Sequence, residues 1–383
     1  MSTRYKAVAG YGRWGNQHGP KDMLRQQSCP APLLRSESLL GGIVMAPMPL
    51  PERELIAQLR RFVSPAGRTQ VAAGAKAAIR VGMGDDCAVL RIGSALDCLV
   101  TTDFCLEGIH FRRNWHPPES VGHRCLARGL SDIAAMGGEP VAAFLSLALP
   151  GTLPQAWVRA FFRGLLRLAE QHHVTLAGGD TAESPTGVLA DIVVLGTVPK
   201  GQAILRSGAR PGDRIFVSGT LGGSAAAFMQ MGTRRKKVDE RQFPRHFYPE
   251  PRIRLGRILR ERRIATAMID TSDGLSTDLT HICEESGVGA EIDASSIPSA
   301  RVGQPARSVD LDLALHGGED YELLFSVSAR ARVPRMLAGV ALTEIGRITS
   351  GRKIFLRRMD GKTEPLKPRG WEHFRKTQSR GRA

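Results

Sequence analysis

The sequence contains no hydrophobic run of about 18 residues, the minimum length for a membrane-spanning helix. The nearest approach, "LLGGIVMAPMPLP" at residues 39–51, is short, is interrupted by prolines and begins too far from the N-terminus for a secretory signal. We therefore predict no membrane association, and a cytoplasmic location is the default expectation.

Cysteine and aromatic residues are scarce. The six cysteines form no C-x-x-C pair and no His/Cys group at zinc-site spacing, so neither a disulfide framework nor a zinc knuckle is predicted. Reduced, mostly buried thiols are expected instead. Aromatic residues make up 5% of the chain, which leaves few platforms for stacking nucleic-acid bases.

Acidic residues are outnumbered, and the formal net charge is +16. The excess lies mostly in the termini: residues 1–49 carry six Lys/Arg and two acids, and residues 352–383 carry eleven and three. Basic tails on a nearly neutral body are weak evidence for nucleic-acid binding. A basic nucleic-acid-binding protein therefore remains only an alternative, and no nucleic-acid partner is expected.

Several common catalytic motifs are missing. The sequence has no G-x-x-x-x-G-K-[ST], no H-R-D or D-F-G and no G-x-S-x-G. A P-loop, a protein-kinase active site and a nucleophile elbow are thereby excluded.

Patterning predicts a mixed α/β (α+β) protein with two domains. Short strands alternate with longer helices over residues 50–200 and again over residues 201–375, with the break at "KGQAILRSGARPG". Residues 1–49 have no helical or strand period and are expected to be disordered, or to reflect a start codon assigned too early. Residues 376–383 are expected to form a basic tail.

Acids away from the tails recur at element ends beside small residues. One aspartate at a glycine turn usually only forms the turn. Repetition favours a ligand set, because carboxylates with Thr or Ser hydroxyls supply the hard oxygen ligands that Mg²⁺ prefers. A set this large predicts several ions and a polyphosphate. The acids are Asp85, Asp86, Asp103, Asp132, Asp180, Asp270, Asp273, Glu319 and Asp320.

Three other features have two readings each. The turn "SGTLGGSAAAF" at residues 218–228 could cradle phosphate at a helix N-terminus, or could serve close packing. Arg206 could clamp a phosphate or be a solvated loop residue. His110, which lies beside Arg112 and Arg113, could contact a ligand or be structural.

Seven motifs together resemble the thiamine-monophosphate kinase family, within the superfamily typified by aminoimidazole ribonucleotide synthetase. They span roughly residues 52–375 and are, in chain order, "VGMGDDCAVL", "TTDFCLEGIHF", "LARGLSDIAAMGGEP", "LAGGDT", "ILRSGARPGD", "IDTSDGLSTDL" and "GGEDYELLF". The resemblance implies a two-domain fold whose N-terminal domain forms a homodimer interface. It also implies phosphorylation of thiamine phosphate by ATP, giving thiamine diphosphate.

The resemblance also assigns roles to residues. Asp86 and Asp273 are expected to be critical, whereas Asp85 is expected to shape the turn or support the ligands. The implied Mg²⁺ ligands are Asp86, Thr101, Thr102, Asp103, Asp132, Asp180, Asp270 and Asp273. The implied ATP contacts are Phe161, Gly179, Asp180, Arg206 and Ser272. The implied substrate contacts are His110, Glu319 and Trp371.

This sequence departs from the family in the first ~50 residues, in the connector 233–251 and in the basic end after Phe374. Phe161 can stack but has no hydroxyl. None of these departures removes a motif.

A phosphate acceptor needs no general base, since the second pKa of a phosphomonoester is about 6. We therefore expect direct in-line transfer, assisted by several Mg²⁺ ions and with no residue acting as base. Related enzymes that make selenophosphate or aminoimidazole ribonucleotide with ATP are the alternatives within the superfamily.

Overall fold

The computed structural model describes residues 52–63, 79–233 and 239–374, and the predictions for residues 1–49 and 376–383 lie outside these ranges. Strands and helices alternate along the described chain, as the patterning predicts, and they build two large mixed sheets. No helix within the described ranges is long and apolar enough to cross a membrane.

The first sheet has six strands, and all neighbouring pairs are antiparallel except β4 with β5. Alternate residues of its central strands are buried, which is the period-two pattern of a sheet covered on one face. In spatial order the strands are β1 (Ile79–Val81), β2 (Ala88–Arg91), β3 (Leu96–Leu106), β6 (Leu189–Pro199), β4 (Glu139–Leu149) and β5 (Thr175–Glu183).

Two helices cover one face of this sheet, namely α2 (Pro118–Ala135) and α3 (Gln155–Gln171). They approach closely because both present a glycine: a Cβ at Gly122 would lie 1.9 Å from the carbonyl oxygen of Phe161, and one at Gly164 would lie 1.8 Å from that of Glu119. The opposite face keeps large apolar side chains exposed, including Phe104, Val141, Phe144 and Leu189.

The second sheet follows in the chain and is mostly antiparallel, with β9 and β15 as its parallel pair. Its strands in spatial order are β16 (Thr363–Pro365), β15 (Ile354–Arg357), β9 (Gly289–Asp293), β14 (Val340–Thr349), β7 (Arg214–Ser218), β12 (Leu323–Val327) and β8 (Ala265–Asp270). A short β13 (Met336–Leu337) pairs with β14, and β10 (Arg301–Val302) pairs with β11 (Arg307–Ser308).

The remaining helices accompany the second sheet, apart from α1, which precedes the first. They are α1 (Glu52–Val63), α4 (Gly223–Thr233), α5 (Pro244–Phe247), α6 (Ile253–Glu261), α7 (Leu275–Ser286) and α8 (Leu311–His316). The end of α2 joins the two halves: Ala134 and Ala135 share a buried apolar cluster with Leu255, Leu259 and Met268. This shared core fixes the position of α2 relative to β8, and both elements carry acids of the predicted site.

The connector 233–251 has little apolar periodicity, yet its described part is anchored. Phe243 and Phe247 are buried against Ala227 and Met231 of α4. The five described cysteines are free, and all but Cys98 are buried, as predicted.

Candidate active site

Three carboxylates from three distant parts of the chain meet in one place. Asp86 lies just before β2, Asp132 lies in α2, and Asp270 ends β8. One oxygen from each lies within 4.8 Å of those of the other two. The structure therefore brings together three of the predicted metal ligands.

This carboxylate cluster carries a strong electrostatic penalty. Burial raises the pKa of Asp86, and burial with neighbouring carboxylates raises that of Asp132 well above its ordinary range and that of Asp270 to about 8. Buried like charges favour protonation unless a cation is bound among them. The cluster thus has the donor chemistry of a Mg²⁺ site.

Arg206 supplies part of the missing positive charge. Its Nη2 donates to Asp86 Oδ1 at 2.6 Å. Asp86 Oδ2 is also buried and has no hydrogen-bond partner among the described residues. A buried carboxylate oxygen without a donor is costly, so this atom fits a metal ligand.

Two β3 side chains extend the cluster because they point to the covered face of the first sheet. The hydroxyl of Thr101 donates to Asp132 Oδ2. Asp103, two residues further along, interacts with Arg128, with Oδ1 at 3.6 Å from Nε. Burial raises the pKa of Asp103 despite this arginine.

Thr102 does not join the cluster. Successive strand residues face opposite sides of a sheet, so its side chain points to the uncovered face. There it is exposed, and its hydroxyl donates to Asp191 Oδ1 at 2.7 Å. The ligand role expected for the Thr102 side chain finds no support in this geometry.

Asp273 lies in the turn after β8, at one side of a cleft of about 220 Å³. Ser272, Arg206 and Trp371 also line this cleft. Burial, followed by the charge of Glu52, raises the pKa of Asp273 to about 7. The cleft thus joins residues predicted for metal, ATP and substrate.

Asp85 has a different environment from Asp86. Its oxygens accept from the backbone N–H of Arg206 at 3.1 and 3.2 Å, and Oδ1 also accepts from Asp86 N at 3.2 Å. Asp85 therefore holds the Arg206 loop beside the carboxylate cluster.

Glu319 is an acid with the opposite electrostatic environment. Its Oε1 accepts from Arg124 at 2.7 Å and from Arg128 at 3.2 Å. Although burial acts to raise its pKa, the two guanidiniums outweigh burial and lower it to about 2. Arg128 thus links Glu319, a predicted substrate contact, to Asp103, a predicted metal ligand.

His110 is buried and neutral. Its Nδ1 accepts from Leu106 N at 3.0 Å, which leaves Nε2 to carry the proton. Burial, aided by Arg128, lowers its pKa to about 3. Its ring lies edge-on to that of His373, with centroids 5.7 Å apart, and His373 in turn contacts Trp371.

The sequence reasoning missed three of these residues: Arg124, Arg128 and His373. A signal for the arginines was present, because Arg124, Arg128 and Asp132 are spaced by four residues and share one face of α2. His373 had no such signal, because only the folded chain brings it to His110.

Two predicted ATP contacts lie apart from the cluster. Gly179 and Asp180 are exposed on β5, at the edge of the first sheet. Gly179 has φ of +153°, and a Cβ there would lie 1.8 Å from the carbonyl oxygen of Leu145, so no larger residue fits.

Phe161 is a buried residue of α3. Its ring is 0% exposed and stacks on Trp157 with centroids 5.6 Å apart. It belongs to the core between α2 and α3, where the glycine contacts leave no room for a nucleotide base. The ATP contact expected for the Phe161 side chain therefore finds no support in this geometry.

Comparison with known proteins agrees with this architecture. Residues 84–198 match the family model "AIR synthase related protein, N-terminal domain", and residues 210–358 match the corresponding C-terminal domain. The fold and the site thus define a two-domain AIR synthase related protein. A hydrogenase maturation protein HypE from E. coli is similar in fold alone, at 19% identity and a TM-score of 0.59 over 82% of this chain and 98% of that one.

Relatives of higher sequence identity indicate which family within this class the chain belongs to. Thiamine-monophosphate kinase from Escherichia coli K12 is 38% identical over 77% of this chain and 92% of its own length. The Bacillus subtilis enzyme of the same name is 34% identical over 78% and 94%. The chain belongs to the thiamine-monophosphate kinase family.

Solved structures support the same assignment. One described as "AaThiL complexed with AMPPCP and TMP" is 31% identical, with a TM-score of 0.69 over 84% of this chain and 97% of that one. Thiamine-monophosphate kinase from Stenotrophomonas maltophilia K279a is 34% identical, with a TM-score of 0.63 over 81% and 95%. The predicted family is confirmed, and neither the other superfamily activities nor nucleic-acid binding is favoured.

Proposed function

We propose that this chain transfers the γ-phosphoryl group of ATP directly to thiamine phosphate, giving thiamine diphosphate. The observation that carries the proposal is the carboxylate cluster, in which Asp86 Oδ2 has no partner among the described residues, together with Arg206, which pairs with Asp86 and lines the cleft of Asp273. Clustered acids that can hold divalent cations suit a reaction between two polyanions. Because the reaction consumes ATP, we expect it in the cytoplasm.

Mg²⁺ would be held by the carboxylate cluster, extended by Thr101, Asp103 and Asp273. Bound there, Mg²⁺ neutralises phosphate charge and polarises phosphoryl oxygens. The raised pKa values of Asp270 and Asp273, caused chiefly by burial, support several cations in this region.

The acceptor phosphate requires orientation more than activation. Its oxygen is largely anionic near neutral pH, since the second pKa of a phosphomonoester is about 6. His110 is a poor base here because burial lowers its pKa to about 3. We assign His110, Glu319 and Trp371 to substrate binding, with Glu319 held rigidly as an anion by two arginines.

Nucleotide binding is assigned to Arg206 and Ser272, which line the cleft, and to Gly179 and Asp180 on β5. Arg206 forms an ion pair with Asp86 through Nη2, so its guanidinium lies between the carboxylate cluster and the cleft. A charge at this place would stabilise the phosphoryl group as it is transferred.

The test is to incubate purified protein with ATP, MgCl₂ and thiamine phosphate and to measure thiamine diphosphate as its fluorescent oxidation product. We expect one ADP for each thiamine diphosphate, and loss of both products with excess EDTA. Inversion at a chiral γ-phosphate would support direct transfer. Retention, or full activity in EDTA, would contradict the scheme.

We also propose that the uncovered face of the first sheet forms a homodimer interface. Phe104 and Val141 are 55% and 50% exposed there, and Phe144 and Leu189 are each 37% exposed. Sheets of this kind are normally covered on their apolar face. Light scattering should show a dimer that Phe144→Glu converts to a monomer. Leu166→Glu, at an exposed position of α3, is the control and should leave the mass unchanged. A monomeric wild-type protein would refute the interface.

A further inference from the structure

The segment 369–373 crosses the turn that carries Asp273 and is fixed to it by its backbone. Gly370 N donates to Thr277 Oγ1 at 3.2 Å, and Trp371 N donates to Asp273 O at 3.0 Å. A Cβ at Gly370 would lie 2.1 Å from Asp273 O, so the close approach requires glycine. The indole of Trp371 is thereby fixed beside the cleft.

The far end of this segment is fixed by the first turn of α1. Glu52 N donates to His373 O at 3.2 Å, and Glu52 Oε2 accepts from His373 N at 3.1 Å. One residue thus satisfies both backbone polar groups of His373. Two distant parts of the described chain, α1 and the end of the second domain, meet at the mouth of the cleft.

The ring of His373 stands between two predicted substrate contacts. Its centroid is 5.7 Å from that of His110, at an interplanar angle of 72°, and 5.7 Å from that of Trp371, at 89°. His110 is 9% exposed and Trp371 is 51% exposed, so the row runs from the interior to the cleft surface. Edge-to-face contacts of this kind hold rings in fixed orientations.

We infer that His373, held by Glu52, is a positioning residue that fixes His110 and Trp371 as a wall for the cationic ring of the substrate. The inference rests on the proposed function, because thiamine phosphate carries a positively charged thiazolium. Aromatic faces attract such a cation, and the His110 imidazole, whose pKa is lowered by burial, adds no repulsion. The phosphate of the same molecule would then extend toward Asp273 and the carboxylate cluster.

This role predicts a selective kinetic effect. His373→Ala should raise KM for thiamine phosphate about five- to thirtyfold, the range of a lost cation–π arrangement. Values of kcat and of KM for ATP should change less than about twofold, because the contacts of His373 are with His110, Trp371 and Glu52, none of which is assigned to the nucleotide. His373→Phe keeps a ring at the same place and should restore most of the affinity. An unchanged KM in His373→Ala, or an equal rise in KM for ATP, would overturn the inference.

A matched set of variants tests the role of Glu52. Glu52→Ala removes the acceptor for His373 N and should raise the same KM, whereas Glu52→Gln keeps an acceptor oxygen and should leave the KM for thiamine phosphate near the wild-type value. Glu54→Ala, in the same turn but with an exposed side chain, is the control and should change nothing. Equal KM values for Glu52→Ala and Glu54→Ala would refute the coupling of α1 to His373.

Binding without ATP provides a second readout that does not depend on turnover. Quenching of Trp371 fluorescence by thiamine phosphate, measured as the difference from Trp371→Phe, should weaken in His373→Ala and recover in His373→Phe. Unaltered quenching in a folded His373→Ala protein would contradict the inference. A wild-type protein that neither binds nor phosphorylates thiamine phosphate would instead refute the proposed function.

Discussion

Asp132 lies in α2 and Glu319 contacts the same helix, but the surroundings of these two acids have opposite charge. Asp132 faces Asp86, Asp103 and Asp270, and burial with these neighbours raises its pKa. Glu319 faces Arg124 and Arg128, which lower its pKa to about 2. Burial alone therefore does not decide the charge of an acid. The carboxylate cluster needs a bound cation, whereas the cations that neutralise Glu319 are arginines of the chain itself.

Removing one acid from the carboxylate cluster should have the largest effect on activity. Asp86→Asn or Asp273→Asn should lower kcat/KM by at least about 10³-fold, because metal ligation and charge stabilisation are lost together. The measurement is thiamine diphosphate formation at saturating MgCl₂. Thermal unfolding is the control, and near-normal activity in both folded variants would contradict the proposed site.

Stability should respond in the opposite way at the two acids. Glu319→Gln leaves the buried Arg124 without its counter-charge and Arg128 with Asp103 alone, and should lower the free energy of unfolding by about 3 kcal/mol. Asp132→Asn relieves repulsion in the metal-free protein and should not destabilise it. Urea denaturation in EDTA checks both, and a larger loss in Asp132→Asn than in Glu319→Gln would reverse the comparison.

The pH dependence of stability should separate the two sites. Asp270 has a folded-state pKa of about 8 against an ordinary 3.8, so the folded state holds the extra proton and the contribution of Asp270 to metal-free stability falls as pH rises from about 4 to 8. Glu319, with a pKa of about 2 against 4.5, stabilises above pH 4.5 and loses this contribution as pH falls toward 2.

Unfolding midpoints measured in EDTA between these pH limits test both signs. Asp270→Asn should make the fall in the unfolding midpoint toward pH 8 smaller. MgCl₂ in place of EDTA should have the same effect on the wild type, because it favours the ionised acids. A pH dependence that is the same in Asp270→Asn as in the wild type would contradict the raised pKa of Asp270.

The smallest effect is expected at Thr102. Thr101→Val removes a hydroxyl from the carboxylate cluster and should lower activity about tenfold. Thr102→Val removes one that faces Asp191 on the other side of the sheet, and should lower activity less than about threefold. Equal losses in both variants would show that the outer face of β3 also contributes to the site.

The sequence predicted the fold class because its periodicities are clear. Strands and helices alternate along the described chain on both sides of the predicted break near residues 200–212. The acids were found because they recur beside small residues. The ATP contact of Phe161 was implied by the family resemblance alone, and a matching position in the chain does not show whether an aromatic side chain faces a ligand or the core.

The sequence by itself therefore determined which acids the chain carries and that they lie at strand ends and in turns. It also determined which family these acids indicate. Tertiary structure decided which of them meet. Thr101 and Thr102 lie on opposite faces of β3. The packing of α2 places Asp132 beside acids and Glu319 beside arginines. The first turn of α1 contacts His373. These outcomes depend on distances between residues far apart in the chain, which no local pattern encodes.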